Sequence, residues 1–179
     1  MRTAYVIVDM SNDFVADDGG LTAGAPAQAI VPAVVARAEE VLSENGIVIL
    51  AMDAHAPNDP HFALWPEHNV IGTWGAEPYG ALAEFAALHE EDPAVIRIDK
   101  PEYDAFVDTE LADLLEEEGI DCVRLAGVCT DICVYLTAYG AYRHGYATVV
   151  SPEEVATFTD NGPLFLQQMR AVFQTEIEE

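Results

Sequence analysis

IVILAMD, residues 47–53, decides the fold class, because its six apolar residues are followed by a single polar one at the end. A strand with one wet face alternates apolar and polar side chains. A run that does not alternate is buried on both faces, and such strands belong to parallel sheets covered by helices on either side. Upstream, YVIVD (5–9) has the same form. Between the two, apolar residues at Ile30, Val34, Val35, Ala38, Val41 and Leu42 predict a helix over about 26–44, with Asn45 and Gly46 as its stop. Downstream the pattern predicts helix 81–89, strand 94–98, helix 108–118, strand 122–127, helix 131–144, strand 147–150, helix 164–171 and an edge strand within VFQTEI (172–177). This alternation implies a three-layer αβα architecture, a doubly wound and mostly parallel sheet with ligand sites at the carboxyl ends of its strands. No repeat or linker interrupts it, so residues 1–179 read as one domain.

Charge restricts the partners. The chain carries 32 acidic and 7 basic residues, a formal net charge of −25, yet 51% of its residues are hydrophobic. That combination describes a filled core inside an acidic skin rather than a disordered tail. It suits a high-salt cytoplasm, where a Debye length of about 3 Å at 1 M screens the self-repulsion. The same field repels nucleic acid and anionic membranes, so neither is expected as a partner. Three cysteines, at 122, 129 and 133, form no disulfide framework and fit a reducing interior. MRTAYVIVDM (1–10) runs straight into a strand, so no signal peptide is expected, and no apolar run has the length of a bilayer span. A cytoplasmic location follows as the expectation.

Chemistry gathers at the strand ends. Asp9 closes YVIVD, the chain's single lysine, Lys100, follows AVIRID (94–99), and Cys133 lies just past CVRLAGV (122–128), where a helix should begin. Thr130 or Asp131 would cap that helix, and its dipole together with Lys100 would favour a Cys133 thiolate. A carboxylate, an ammonium and a thiol then supply a proton acceptor, a charge partner and a nucleophile. Cys122 and Cys129 are read as structural. The long stretch 54–80 is rich in His, Pro, Trp and Gly, and loops of that length in compact domains are usually functional. Asp53-Ala-His55 opens it and His61 and His68 follow. Imidazole plus carboxylate suits one divalent transition ion, Zn²⁺, Fe²⁺ or Mn²⁺. His89 reads as a helix surface residue.

Taken in order, VDMSNDF, LTAGAPAQAI, MDAH, WPEHNVIGTWGAE, DKPEYDAF and GVCTDICV resemble the nicotinamidases of the isochorismatase-like cysteine hydrolase superfamily, over roughly residues 4–158. The resemblance implies a catalytic triad of Asp9, Lys100 and Cys133, and metal ligands Asp53, His55 and His68, with His61 matching a further ligand that some members use. It places a cis bond at Val128-Cys129, which gives an oxyanion hole from the N–H groups of Cys129 and Cys133. Phe14, Trp65 and Tyr103 match the aromatic pocket. It further implies zinc as the first choice of metal, nicotinamide as the small-molecule substrate, a place in NAD salvage and a homo-oligomer as one option. Where relatives have Tyr-Ser-Ala-Phe, this chain has Tyr103-Asp104-Ala105-Phe106, which places an extra acid near the site. Related metal-independent amidases and isochorismatase-type hydrolases are the alternatives within the superfamily, and a non-catalytic metal-binding module is the alternative outside it. The D-x-H set argues against the first two and the intact triad against the third.

Overall fold

The computed structural model describes residues 2–178. Its strands are β1 (Thr3–Val8), β2 (Ile47–Asp53), β3 (Val95–Lys100), β4 (Cys122–Val128), β5 (Ala147–Ala156) and β6 (Glu176–Ile177). Its helices are α1 (Asn12–Val15), α2 (Ala25–Ser43), α3 (Ala81–Leu88), α4 (Leu111–Glu117), α5 (Cys133–Arg143) and α6 (Gly162–Gln168). The strands form one sheet in the order β3-β2-β1-β4-β5-β6, and every pairing is parallel. Every residue of β2 and β4 is buried, as the unbroken apolar runs require.

The two-residue period of each strand divides the core into two layers. Tyr5, Ile7, Val48 and Leu50 pack against α2 and α3, whereas Val6, Val8, Ile49 and Ile98 pack against α4 and α5. The strand order reverses between β1 and β4, so the crevice at their carboxyl ends is the topological switch point where open α/β sheets bind ligands. Gly127 allows these two strands to approach closely. Its φ is +102°, and a Cβ there would lie 2.0 Å from the Val8 carbonyl oxygen.

Several boundaries differ from expectation. β5 runs to Ala156 rather than 150, because the ladder with β4 resumes at Gly127–Val155 after an irregularity. α4 starts at Leu111 rather than 108. α6 starts at Gly162, with a proline in its first turn, and passes into a π-type turn over Met169–Phe173. The edge strand therefore shrinks to Glu176–Ile177, since Val172 and Phe173 are spent in that turn. Residues 54–80 are not structureless, for they contain two 3₁₀ turns, Pro60–Ala63 and Trp74–Ala76.

Candidate active site

Each expected triad residue is set by a strand end or the turn after it. Asp9 follows β1 with φ +55°, a left-handed conformation that Asp tolerates better than most residues. Its amide donates to the Ala51 carbonyl at 3.0 Å, and its Oδ1 accepts the Asp53 amide at 2.8 Å. Lys100 ends β3 and is wholly buried. Its Nζ lies 2.9 Å from Asp9 Oδ2 and 2.9 Å from Asp53 Oδ1, and it donates to the Glu102 carbonyl at 3.2 Å. One ammonium therefore serves two buried carboxylates. Burial pushes the Asp9 carboxyl up to about 6, against the pull of Lys100 and with the help of the Asp53 charge. Burial alone would weaken the ammonium, but Asp9, Cys133 and Asp53 together hold Lys100 above its ordinary value.

Cys133 opens α5, and its buried side chain lines the same cavity as the Asp9 carboxyl. The expected resting thiolate is not what this environment favours. Burial drives the thiol well above its ordinary value, and the Asp9 and Asp53 charges add to the rise, so the Lys100 attraction is outweighed. The predicted capping also fails. Ile132, which has no capping side chain, precedes α5, and Asp131 instead accepts the hydroxyls of Thr157 and Thr159 at 2.6 and 2.5 Å, tying the end of β5 to this turn. The environment thus favours a Cys133 thiol over a standing thiolate, with the raised Asp9 carboxyl in the same cavity as the group that can take its proton.

The Val128-Cys129 peptide is cis. Among the described residues, the Cys129 and Cys133 amides donate to no protein acceptor, which leaves both N–H groups available to a ligand. Burial pushes the Cys129 thiol up to about 12 and raises that of Cys122, which suits the structural reading of both side chains.

Asp53 joins this triad to a histidine cluster. Its Oδ2 lies 3.1 Å from His55 Nε2 and 3.3 Å from His68 Nε2, while Oδ1 faces Lys100. Despite burial, Lys100, His55 and His68 hold its carboxyl well below the usual range. Side-chain nitrogens of His55, His61 and His68 all lie within 4.8 Å of one another. His68 Nδ1 meets the Pro66 carbonyl at 2.6 Å and His55 Nδ1 meets Asp59 Oδ2 at 3.3 Å. Nδ1–H donation at both would leave each Nε2 lone pair free for a bound ion, the tautomer that a metal needs. Three imidazoles and one ionised carboxylate oxygen fit a divalent transition ion. His89 stands apart at the end of α3 beside Glu39.

Asp59 was not singled out in the sequence, where it is one acid among 32. Its Oδ2 faces His55, and its Oδ1 accepts the His61 amide at 2.8 Å and caps the Pro60–Ala63 turn. One carboxylate thereby steadies two histidines. Asp59→Ala is expected to lower metal affinity by about 10- to 100-fold, and Asp59→Asn by less, because an amide oxygen can still cap the turn. Titration against a chelator of known affinity measures this, and equal affinity in all three proteins would remove Asp59 from the site.

The aromatic pocket assembles as expected. Phe14, from α1, meets His68 at a ring-centroid distance of 5.2 Å, and Trp65 Nε1 donates to the Tyr103 hydroxyl at 3.0 Å. All three rings line the cavity that reaches Asp9, Cys129 and Cys133. Leu21, Ile132 and Phe158 line it as well. Apolar residues in turns carry no sequence signal for such a role, and Phe158 follows the part of β5 that the reading missed. Asp104 is not among the lining residues. Its Oδ1 accepts the Phe106 amide at 2.9 Å and faces Gly140 of α5, where a Cβ would lie 2.4 Å from that oxygen. It is a turn cap, a role that a serine could also fill.

Known proteins resemble this chain over nearly its whole length. A Bacillus subtilis isochorismatase family protein, PncA, is 42% identical over 165 residues, covering 90% of each chain. The crystal structure of a pyrazinamidase/nicotinamidase from Streptococcus mutans superposes with a TM-score of 0.95 at 40% identity, covering 98% of this chain and 99% of that one. A pyrazinamidase of Pyrococcus horikoshii, solved in complex with zinc, superposes with a TM-score of 0.85 at 25% identity, covering 100% and 99%. The Isochorismatase domain matches residues 3–177, which include every residue of the triad, the histidine cluster and the aromatic pocket, and the chain belongs to that family.

Proposed function

We propose that this protein hydrolyses nicotinamide to nicotinate and ammonia through a thioester on Cys133. The observation that carries the reading is the convergence of the buried Cys133 thiol and the Asp9 carboxyl, itself 2.9 Å from the Lys100 ammonium and pushed up to about 6, in one aromatic-walled pocket. The pyridine ring lies among Phe14, Trp65 and Tyr103, with its carboxamide at Cys133. Asp9 takes the thiol proton as sulfur attacks the carbonyl carbon, and Lys100 offsets the negative charge that develops there. The Cys129 and Cys133 amides receive the oxyanion. Asp9 then returns the proton to the departing nitrogen and ammonia leaves. A water molecule, deprotonated by Asp9, attacks the thioester, releases nicotinate and restores the thiol.

Asp53, His55 and His68, with His61, would hold one divalent transition ion, and zinc is supported by the Pyrococcus horikoshii relative. Bound there, the ion supplies a Lewis-acidic docking point for the pyridine nitrogen. Benzamide lacks that nitrogen and is expected to be hydrolysed poorly by the metal-loaded enzyme, with the gap from nicotinamide shrinking in His55→Ala. Ammonia release from the two amides provides the measurement. Equal rates for the loaded enzyme, or a gap that survives complete loss of metal, would refute docking through the ring nitrogen.

Nicotinate release places the enzyme in NAD salvage, and the acidic, lysine-poor composition favours a high-salt cytoplasm as its setting. No helix among the described residues is long and apolar enough to cross a membrane. Dilution from molar to 50 mM KCl, which lengthens the Debye length from about 3 Å to more than 10 Å, is expected to unfold or inactivate the protein. Circular dichroism and activity that stay unchanged across that range would remove the halophilic reading.

A further inference from the structure

The acids that dominate this chain are missing from two stretches of it. Residues 132–152 and 161–175 contain no Asp or Glu, although at the chain's average of 32 acids in 179 residues these 36 positions would carry about six. The two stretches hold α5, α6 and the π-type turn, and they fold against each other. Tyr135 meets Phe165 and Phe173 at ring-centroid distances of 4.8 and 5.1 Å, and Tyr139 and Tyr142 meet Phe173 at 5.3 and 5.8 Å.

Helix α5 is apolar on both sides. Val134, Thr137, Ala138 and Ala141 face the sheet, as an ordinary surface helix requires. The opposite stripe, Tyr135, Leu136, Tyr139 and Tyr142, should then be polar, and it is not. Tyr139 is 42% exposed and Tyr142 47%, and Leu164 and Val172, next in the chain to the packed Phe165 and Phe173, are just over half exposed. A helix that is apolar all round is normally covered on every side. The N-terminal part of α2 is acid-free too (19–38), but its outward residues are alanines and prolines, with no large apolar side chain among them.

Charge identifies what covers the α5 stripe. A site for a basic partner would keep its acids, and a site for an acidic partner would collect more cations than Arg143, Arg170 and His144. A surface that meets its own copy must lack like charge, above all on a protein of net charge −25, because in an isologous contact each residue faces the same patch. Neutral tyrosines, with Arg143 over the Tyr139 ring at 5.9 Å, satisfy that requirement.

We propose that the outer face of α5, with α6 and the Met169–Phe173 turn, is the contact through which two copies of this chain form a dimer. Tyr139, Tyr142, Leu164 and Val172 are not among the residues that line the cavity of Asp9 and Cys133, so assembly and chemistry can be tested separately. Sedimentation equilibrium of the full chain in molar KCl should show a dimer. Tyr142→Glu with Val172→Glu places two acids from each copy into the contact and should weaken association at least about 100-fold, while ammonia release and the far-ultraviolet circular dichroism stay as in the parent. Leu88→Glu, an exposed apolar position on α3, should leave the dimer intact. A parent that stays monomeric at all accessible concentrations would overturn the proposal, and so would a dimer that survives Tyr142→Glu with Val172→Glu or dissociates with Leu88→Glu.

Discussion

Replacing Lys100 by Met is expected to lower the free energy of unfolding by about 3–5 kcal/mol near neutral pH, the usual effect of removing one partner from a buried ion pair. Lys100 is wholly buried between Asp9 and Asp53, each 2.9 Å from its ammonium. Methionine fills a similar volume, so the loss reflects charge rather than a cavity. The two carboxylates left behind repel one another, and the deficit should narrow on acidification as they take up protons that the parent's pair does not. The sign for activity follows from the same contacts. Lys100 holds the Asp9 carboxyl down against its burial, so losing the ammonium raises Asp9 further above about 6. The acid limb of kcat/KM must then move to higher pH in whatever activity remains. Urea unfolding at several pH values and a pH–rate profile measure both effects. A variant as stable as the parent with an unshifted acid limb would show that the ammonium does not hold this pair.

Much of this was legible in the sequence because burial on both faces leaves an unmistakable apolar run. IVILAMD and CVRLAGV became the fully buried β2 and β4, and the expected parallel sheet followed. The residues after those strands were legible for a related reason. A Lys, Asp or Cys that follows such a run stands at the carboxyl edge of the sheet, and Asp9, Lys100 and Cys133 do come together there. What sequence could not give was the balance of forces at the thiol. Helix position and a nearby cation both argue for a thiolate, but the size of the desolvation penalty depends on packing from distant elements, and here it exceeds both. Nor could sequence show that the ammonium is already matched by two carboxylates. Asp131 looked like a helix cap, but the hydroxyls of Thr157 and Thr159, more than 25 residues away, claim it. Asp59 was hidden among similar acids until folding set it beside His55. The end of β5 was missed because Ser151 to Glu154, read locally, looks like a turn rather than a continued ladder.

Cys133→Ala should abolish hydrolysis, with a fall in kcat on the order of 10⁶, the scale seen when a covalent nucleophile is deleted from a comparable catalytic unit. The pocket, the histidine cluster and the two unpaired amides survive this change, so nicotinamide should still bind, which separates lost chemistry from lost binding. Cys129→Ala is the necessary contrast, because Cys129 is assigned only a backbone N–H and alanine keeps it. The state of the thiol makes the test sharper. A standing thiolate would be alkylated quickly by iodoacetamide at pH 7, whereas a buried thiol raised well above its ordinary value reacts slowly there, although catalysis runs. Turnover requires the proton to move to Asp9, so kcat/KM should rise with pH through about 6 and level off above it, as the carboxyl loses the proton that blocks it. Acid quench during turnover, followed by mass spectrometry, should find the nicotinoyl group on Cys133 and on neither Cys122 nor Cys129. An acyl adduct on another residue, or full turnover in Cys133→Ala, would require a different nucleophile. Slow alkylation with fast turnover is the combination that distinguishes a thiol activated by its substrate and Asp9 from one kept ionised in advance.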